Sequence, residues 1–229
     1  MAKVTIICGD TGTGKSTSIR NLDPKETYII NVLNKPLPFK GSKSLYNEGV
    51  KNTKSTDSYD QVRKLLEVIN TLPETKHIKN VIIDDVGFVM TTELFGRSKE
   101  TGFGKFTDIG LHMQQILSYA KEMREDMNIV FMFHEEDDVS DRIKVGKKIK
   151  TIGNLLEDKY NPLGVVSCAL FTNVTFDDKT GEAKYSFITN RTLKNGLVIP
   201  AKSPQGMFET LEIPNDLSVV FKAMDEYYK

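Results

Sequence analysis

Residues 9–16 read GDTGTGKS. They follow an apolar run, Val4 to Cys8, and precede a segment, Thr17–Leu22, able to continue as a helix. The stretch fits G-x-x-x-x-G-K-[ST] at every fixed position, and a strand before and a helix after are the setting in which that pattern cradles phosphate. Gly12 and Gly14 let the backbone bend so that successive N–H groups face phosphate oxygens, and the helix N-terminus adds positive potential there. Gly9, Asp10, Thr11, Gly12, Thr13, Gly14, Lys15, Ser16 and Thr17 are therefore the expected nucleotide-binding set. Lys15 would reach the β- and γ-phosphates, and the Ser16 hydroxyl would face Mg²⁺.

A second motif completes the first. Val81–Asp85 reads VIIDD, an apolar strand ending in acids at the carboxyl edge of a sheet. Asp84 is the expected acid on the Mg²⁺ side, directly or through a water, and Asp85 could position the attacking water. His134 follows another apolar strand, Asn128–Phe133, where a polar side chain can sense the γ-phosphate. His77 and His112 stand alone, and no Cys or His pair has the spacing of a zinc site.

The rest of the chain places these motifs. Tyr28–Leu33 and Asn80–Val86 read as buried strands, and Asn34–Lys54 as a long loop. Apolar residues at helical spacing mark helices over Asp57–Leu72, stopped by Pro73, and over Thr107–Met127. Strands alternating with helices predict an α/β fold with a mainly parallel central sheet and flanking helices. Val165–Phe176 and Ala183–Thr189 flank the turn-rich DDKTG and read as a C-terminal β-hairpin extending that sheet, with a last helix near Asp216–Tyr228. No Pro/Gly/Ser-rich linker divides the 229 residues, so one domain is expected, with residues 1–134 as nucleotide-binding core.

Charge and composition exclude some classes. Thirty-one Lys and Arg balance thirty-one Asp and Glu, so net charge does not point to nucleic acid and any such contact must be local. No apolar run approaches a membrane span, no secretory segment precedes the phosphate loop, and Cys8 and Cys168 read as reduced core residues. A cytoplasmic location is the expectation. Two segments have the composition to grip single-stranded nucleic acid. Gly96–Lys105 carries Arg97, Lys99, Lys105 and Phe103; Glu135–Gly153 turns from acidic to basic, with Arg142, Lys144, Lys147, Lys148 and Lys150. Cations grip phosphates and aromatics stack on bases; an exposed, solvated loop is the alternative for each.

The order of these motifs resembles the RecA-like ATPases of bacteriophages, in particular the small core-only members associated with single-strand annealing and recombination. GDTGTGKS, VIIDD, GRSKETGFGKF, FHEE, the trailing hairpin and AKSPQGMFETLEIPNDL carry the resemblance. It implies a core that binds ATP and Mg²⁺, assembles into rings or filaments, and contacts single-stranded DNA through the two loops. It also implies basic residues at a subunit boundary, for which Arg191, Lys194 and Lys202 are candidates. One departure stands out. Such proteins usually carry a catalytic Glu at the end of the strand after the phosphate-loop helix, where this chain has YIINVLNK, with Asn31 and Asn34. An amide can orient water but cannot take its proton, which leaves Asp85 or Glu93 for that role, or slow turnover. A nucleotide kinase, with Asp138–Lys150 as a lid, and an ATP-switched adaptor are the alternatives.

Overall fold

The structure is a computed structural model that describes residues 1–153 and 155–229, without the side chains of Glu157 and Asp158. Its frame is a twisted sheet. β1 (Lys3–Gly9), β2 (Thr27–Asn31), β3 (Thr53–Ser55), β4 (Asn80–Asp84), β5 (Asn128–Ser140) and β7 (Cys168–Phe176) run parallel in the order β3-β2-β4-β5-β1-β7. β8 (Ala183–Ile188) and β11 (Glu212–Pro214) add antiparallel to the β7 edge. β1 and β4 are buried on both faces, which is why their Val and Ile residues run consecutively instead of alternating.

Helices cover each face. On one, α2 (Tyr59–Thr71), α3 (Gly87–Gly96) and α4 (Gly104–Glu122) pack Val62, Leu66, Ile69, Met90, Met113 and Ile116 against the sheet. α2 buries Val62, Leu66 and Ile69, one stripe at helical spacing, and ends at Leu72 because the residue before Pro73 is pushed out of the helical region. The other face is covered by a short 3₁₀ turn, Ser16–Asn21, by α1 (Ser42–Leu45) and by α5 (Leu217–Tyr227). Asp216 caps α5 by accepting from the Ser218 N–H at 2.9 Å.

The sheet order matters for function. The phosphate-loop strand β1 and the acidic strand β4 are not neighbours; β5 lies between them. In register, Gly9 pairs with His134 and Asn31 with Asp84, so the ends of β1, β2 and β4 meet His134 of β5 at one edge. This is the mainly parallel α/β arrangement with flanking helices expected from the motifs, with the hairpin β7–β8 joined to the sheet through β1.

Several expectations are corrected. The phosphate loop leads into a 3₁₀ turn, not an α-helix. The presumed loop Asn34–Lys54 contains α1 and starts β3. Glu135–Gly153 is not a loop: β5 runs on to Ser140 and turns back as β6 (Ile143–Ile149), which pairs with β10 (Leu197–Ile199), itself paired with β9 (Thr192–Lys194). Its acid-then-base pattern is the pattern of two facing strands. Both cysteines are buried. Among the described residues, no helix is long and apolar enough to cross a membrane.

Candidate nucleotide site

At the carboxyl edge of the sheet lies a cavity of about 640 Å³, lined by Thr11, Gly12, Gly14, Lys15, Ser16, Thr17, Asp84, Asp85 and His134 among others. That volume is in the range of small-molecule sites, and the edge is where open α/β sheets bind ligands. The phosphate loop has the backbone its glycines promised: Gly12 and Gly14 have φ of +77° and +94°. Gly9 answers to a different constraint. A Cβ there would meet Thr172 Oγ1 of β7 at 1.7 Å, and Thr172 instead donates to Thr13 Oγ1 at 2.7 Å.

Lys15 is buried, its ammonium donating to the carbonyls of Gly9 at 2.8 Å and Asp10 at 2.9 Å. Burial lowers its pKa, opposed by the charges of Asp85 and Asp84. Ser16 Oγ donates to Asp84 Oδ1 at 2.9 Å, so the two halves of the predicted Mg²⁺ site touch. Burial, and then the charge of Asp85, push the Asp84 carboxyl up to about 6. A buried anion held beside another is under tension that a divalent cation would relieve. A hydroxyl and a carboxylate are hard oxygen donors, so the residues present fit Mg²⁺.

Asp85 sits at φ +58°, a costly backbone for a non-glycine residue, with its side chain against His134 of β5. His134 Nε2 lies 2.9 Å from Asp85 Oδ1, and Lys35 Nζ lies 2.7 Å from Oδ2. Burial alone would raise this carboxyl, but the bonds from His134 and Lys35 outweigh it and hold it at about 2. With both oxygens engaged and so weak a basicity, Asp85 is an anchor for two side chains rather than a base. His134 also meets the edge of the Phe88 ring.

A model of the AAA domain matches residues 1–194. The chain belongs to that AAA-domain family. Among solved structures, this AAA-domain chain is similar to a KaiC-like protein from the hyperthermophilic archaeon Pyrococcus horikoshii, at 12% identity and a TM-score of 0.47, over 86% of this chain and 89% of that one. No curated protein matches it.

The remaining expected residues fall elsewhere in the AAA-domain chain. Glu93 is outside the nucleotide cavity. It lines a separate one of about 310 Å³, where Arg97 and His112 hold it at 3.1 and 2.8 Å, so it is not available as the water base. His112, far from standing alone, also stacks on Tyr59. Arg97 is shared among Glu93, Glu100 and Asp108, which turns an expected DNA cation into a clamp between α3 and α4. Lys105 donates to the Arg97 and Glu100 carbonyls. Across the β5–β6 hairpin, Lys144 pairs with Asp137, Lys147 with Glu135 and Asp137, and Lys148 with Glu136. Among the described residues, Lys99, Arg142 and Lys150 make no such ion pair. Lys194 faces Glu212 at 3.6 Å, Lys202 sits on a bridge to Ala169, and neither these nor Arg191 lines the nucleotide cavity.

Reasoning from sequence missed Lys35, Arg20, Lys184, Tyr185 and Asn215, which all line the cavity. Arg20 donates to the Asn215 carbonyl at 2.7 Å and Asn21 to Asp216 at 2.5 Å, fastening the start of α5 to the phosphate-loop turn. The Asn215 amide packs 3.1 Å from where a Gly14 Cβ would be and has no partner among the described residues. The last helix near Asp216–Tyr228 was legible, but the contact of its start with the phosphate-loop turn, 195 residues earlier in the chain, was not.

Proposed function

We propose that this chain is a Mg²⁺-dependent ATPase acting on single-stranded DNA, assembling as a ring or filament in phage recombination or replication. The observation that carries the ATPase half is the Ser16–Asp84 bond of 2.9 Å beside the Lys15 ammonium, at the edge where β1 and β4 end and β5 passes His134. Ser16 and Asp84 would hold Mg²⁺, which shields phosphate charge when bound. The glycine-rich backbone and Lys15 would hold the phosphates, and His134, oriented by Asp85, would face the terminal one. AAA-domain membership supports nucleotide binding and hydrolysis.

The DNA half rests on less of the basic composition than the sequence promised. Its support is Phe103, 86% exposed between α3 and α4, Lys99 in the same connecting segment, and Arg142 at the hairpin tip. An exposed ring suits stacking on a base, and exposed cations suit phosphate contact. Arg191 remains the candidate for a contact to a neighbouring subunit. The test is phosphate release from Mg²⁺–ATP with and without single-stranded DNA, in wild type and Lys15→Ala. No DNA binding at low salt, with or without ATP, removes the DNA half.

A second reading, an ATP-switched adaptor with slow hydrolysis, is favoured by one observation: among the described residues no glutamate lines the cavity, and both Asp85 oxygens are engaged. ATP binding without phosphate release above the Lys15→Ala background would select it. The kinase reading loses its lid, because Asp138–Lys150 is largely paired strand.

A further inference from the structure

The strand after the phosphate-loop turn ends in asparagine, and the structure assigns these amides a building role. Asn31 Nδ2 donates to the Lys35 carbonyl at 2.6 Å, and the Lys35 N–H donates back to Asn31 Oδ1 at 3.2 Å. Asn34 takes φ +52° within the same loop and accepts from Ser55 Oγ at 2.9 Å. Pro36 then fixes the chain beyond. Neither asparagine lines the nucleotide cavity; both line the neighbouring one. What the loop delivers into the nucleotide cavity is Lys35, with Pro36 and Pro38.

Lys35 is clamped at its backbone and aimed at its tip. Its ammonium contacts Asp85 Oδ2 at 2.7 Å, while the side chain is 58% exposed against 6% for Asp85. The carboxylate is thus the fixed partner, and the cation stands at the cavity mouth within reach of an incoming anion. Asp84, Lys15 and His134 line the same cavity. Four cations, Lys15, Arg20, Lys35 and Lys184, line it against two carboxylates, Asp84 and Asp85. That excess of two positive charges balances the two net negative charges of a Mg²⁺–triphosphate.

We propose that Lys35 is a catalytic cation supplied in cis, held by Asp85 beside the terminal phosphate and stabilising the charge that develops there. The proposal rests on the ATPase reading above. In the hydrolysis step the water oxygen forms a new P–O bond as the bond to the bridging oxygen breaks. The electron pair leaves on ADP, the water proton ends on inorganic phosphate, and Lys35 keeps its own proton throughout. Phosphoryl transfer offers the protein little covalent work, so positioned charge carries the catalysis, and a cation of this kind is worth about 10³–10⁵ in kcat when it is an arginine. A lysine, as a point charge without the bidentate fork, is expected to be worth less, on the order of 10² or more.

The test uses the full chain with Mg²⁺–ATP. Lys35→Gln should lower kcat about 100-fold or more, with KM changed only a few-fold, and Lys35→Arg should restore at least about tenfold. Affinity for ATP relative to ADP should fall in Lys35→Gln while ADP affinity and melting temperature hold, which reports loss of the γ-phosphate contact in a folded protein. Mixing Lys35→Gln with Lys15→Ala should give no recovery, since a cation acting in cis cannot be lent by a neighbour. Wild-type turnover in Lys35→Gln overturns the inference and leaves the ATPase reading standing, provided Lys15→Ala is inactive. Recovery on mixing overturns the cis assignment. A wild type that neither binds nor hydrolyses ATP overturns both.

Discussion

Lys15 and Lys35 at the nucleotide cavity, and Lys144 and Lys147 on the β5–β6 hairpin, all lie within 4 Å of carboxylates or backbone carbonyls, yet their surroundings differ. In the cavity the acids Asp84 and Asp85 are nearly inaccessible to solvent, backbone strain holds Asp85 in place, and cations outnumber them. Along the hairpin Glu135, Glu136 and Asp137 of β5 are paired with lysines of β6, and those charges cancel locally. A lysine count therefore says little about the field a ligand meets. What counts is whether the fold leaves charge unbalanced around a space, at low dielectric, where it is worth most.

That contrast can be broken from either side. The largest effect is expected from Asp84→Asn, which should lower Mg²⁺-dependent turnover by about 10²-fold or more. The same change should stabilise the metal-free protein. The folded-state pKa of about 6 lies above the ordinary 3.8, so the charged carboxylate costs stability above pH 6, on the order of 3 kcal/mol, and none below about pH 4. Asn can still accept from Ser16. Thermal melts in chelator should thus show Asp84→Asn several degrees above wild type at pH 7.5, the gap closing toward pH 4. A variant no more stable at pH 7.5 would mean the cavity carries no such tension.

Next in size, His134→Ala should lower kcat by about 10- to 100-fold with ATP affinity nearly kept, measured by steady-state phosphate release. Phe103→Ala should weaken single-stranded DNA binding by about 1–3 kcal/mol in a fluorescence anisotropy titration, as loss of one stacked base does. The smallest effect is expected on the hairpin: Lys144→Ala with Lys147→Ala should leave DNA affinity within about threefold and cost at most about 1 kcal/mol of stability. A tenfold loss of DNA affinity there would show that these pairs open for DNA. Glu93→Gln belongs at this end too, with turnover unchanged and a lower melting temperature, because Arg97 and His112 lose their shared partner.

The parts of this site that were legible in the sequence are local ones. GDTGTGKS fixes its own backbone through Gly12 and Gly14, and VIIDD places Asp84 by ending a buried strand. His134 was readable because β5 lies next to β1 and its apolar run stops at the sheet edge. The parts that were not legible depend on pairing across distance. Lys35 looked like one cation in a Lys- and Pro-rich loop until the Asn31 amide closed around it. Glu93 looked free until α4 brought His112 to it. Glu135–Gly153 looked like a loop because Glu135–Asp138 is an unbroken acidic run and Lys147–Lys148 interrupts the period of β6, so neither strand shows a clean apolar–polar alternation.

The central claim is that the unbalanced charge at the sheet edge is built for a Mg²⁺-bound nucleoside triphosphate. Its most direct test is phosphate release from Mg²⁺–ATP by purified wild type and Lys15→Ala, each with and without single-stranded DNA. Wild type should release phosphate only with Mg²⁺ present, and Lys15→Ala should fall to background in every condition. Equal rates in the two proteins, or no ATP binding by wild type, would contradict the account.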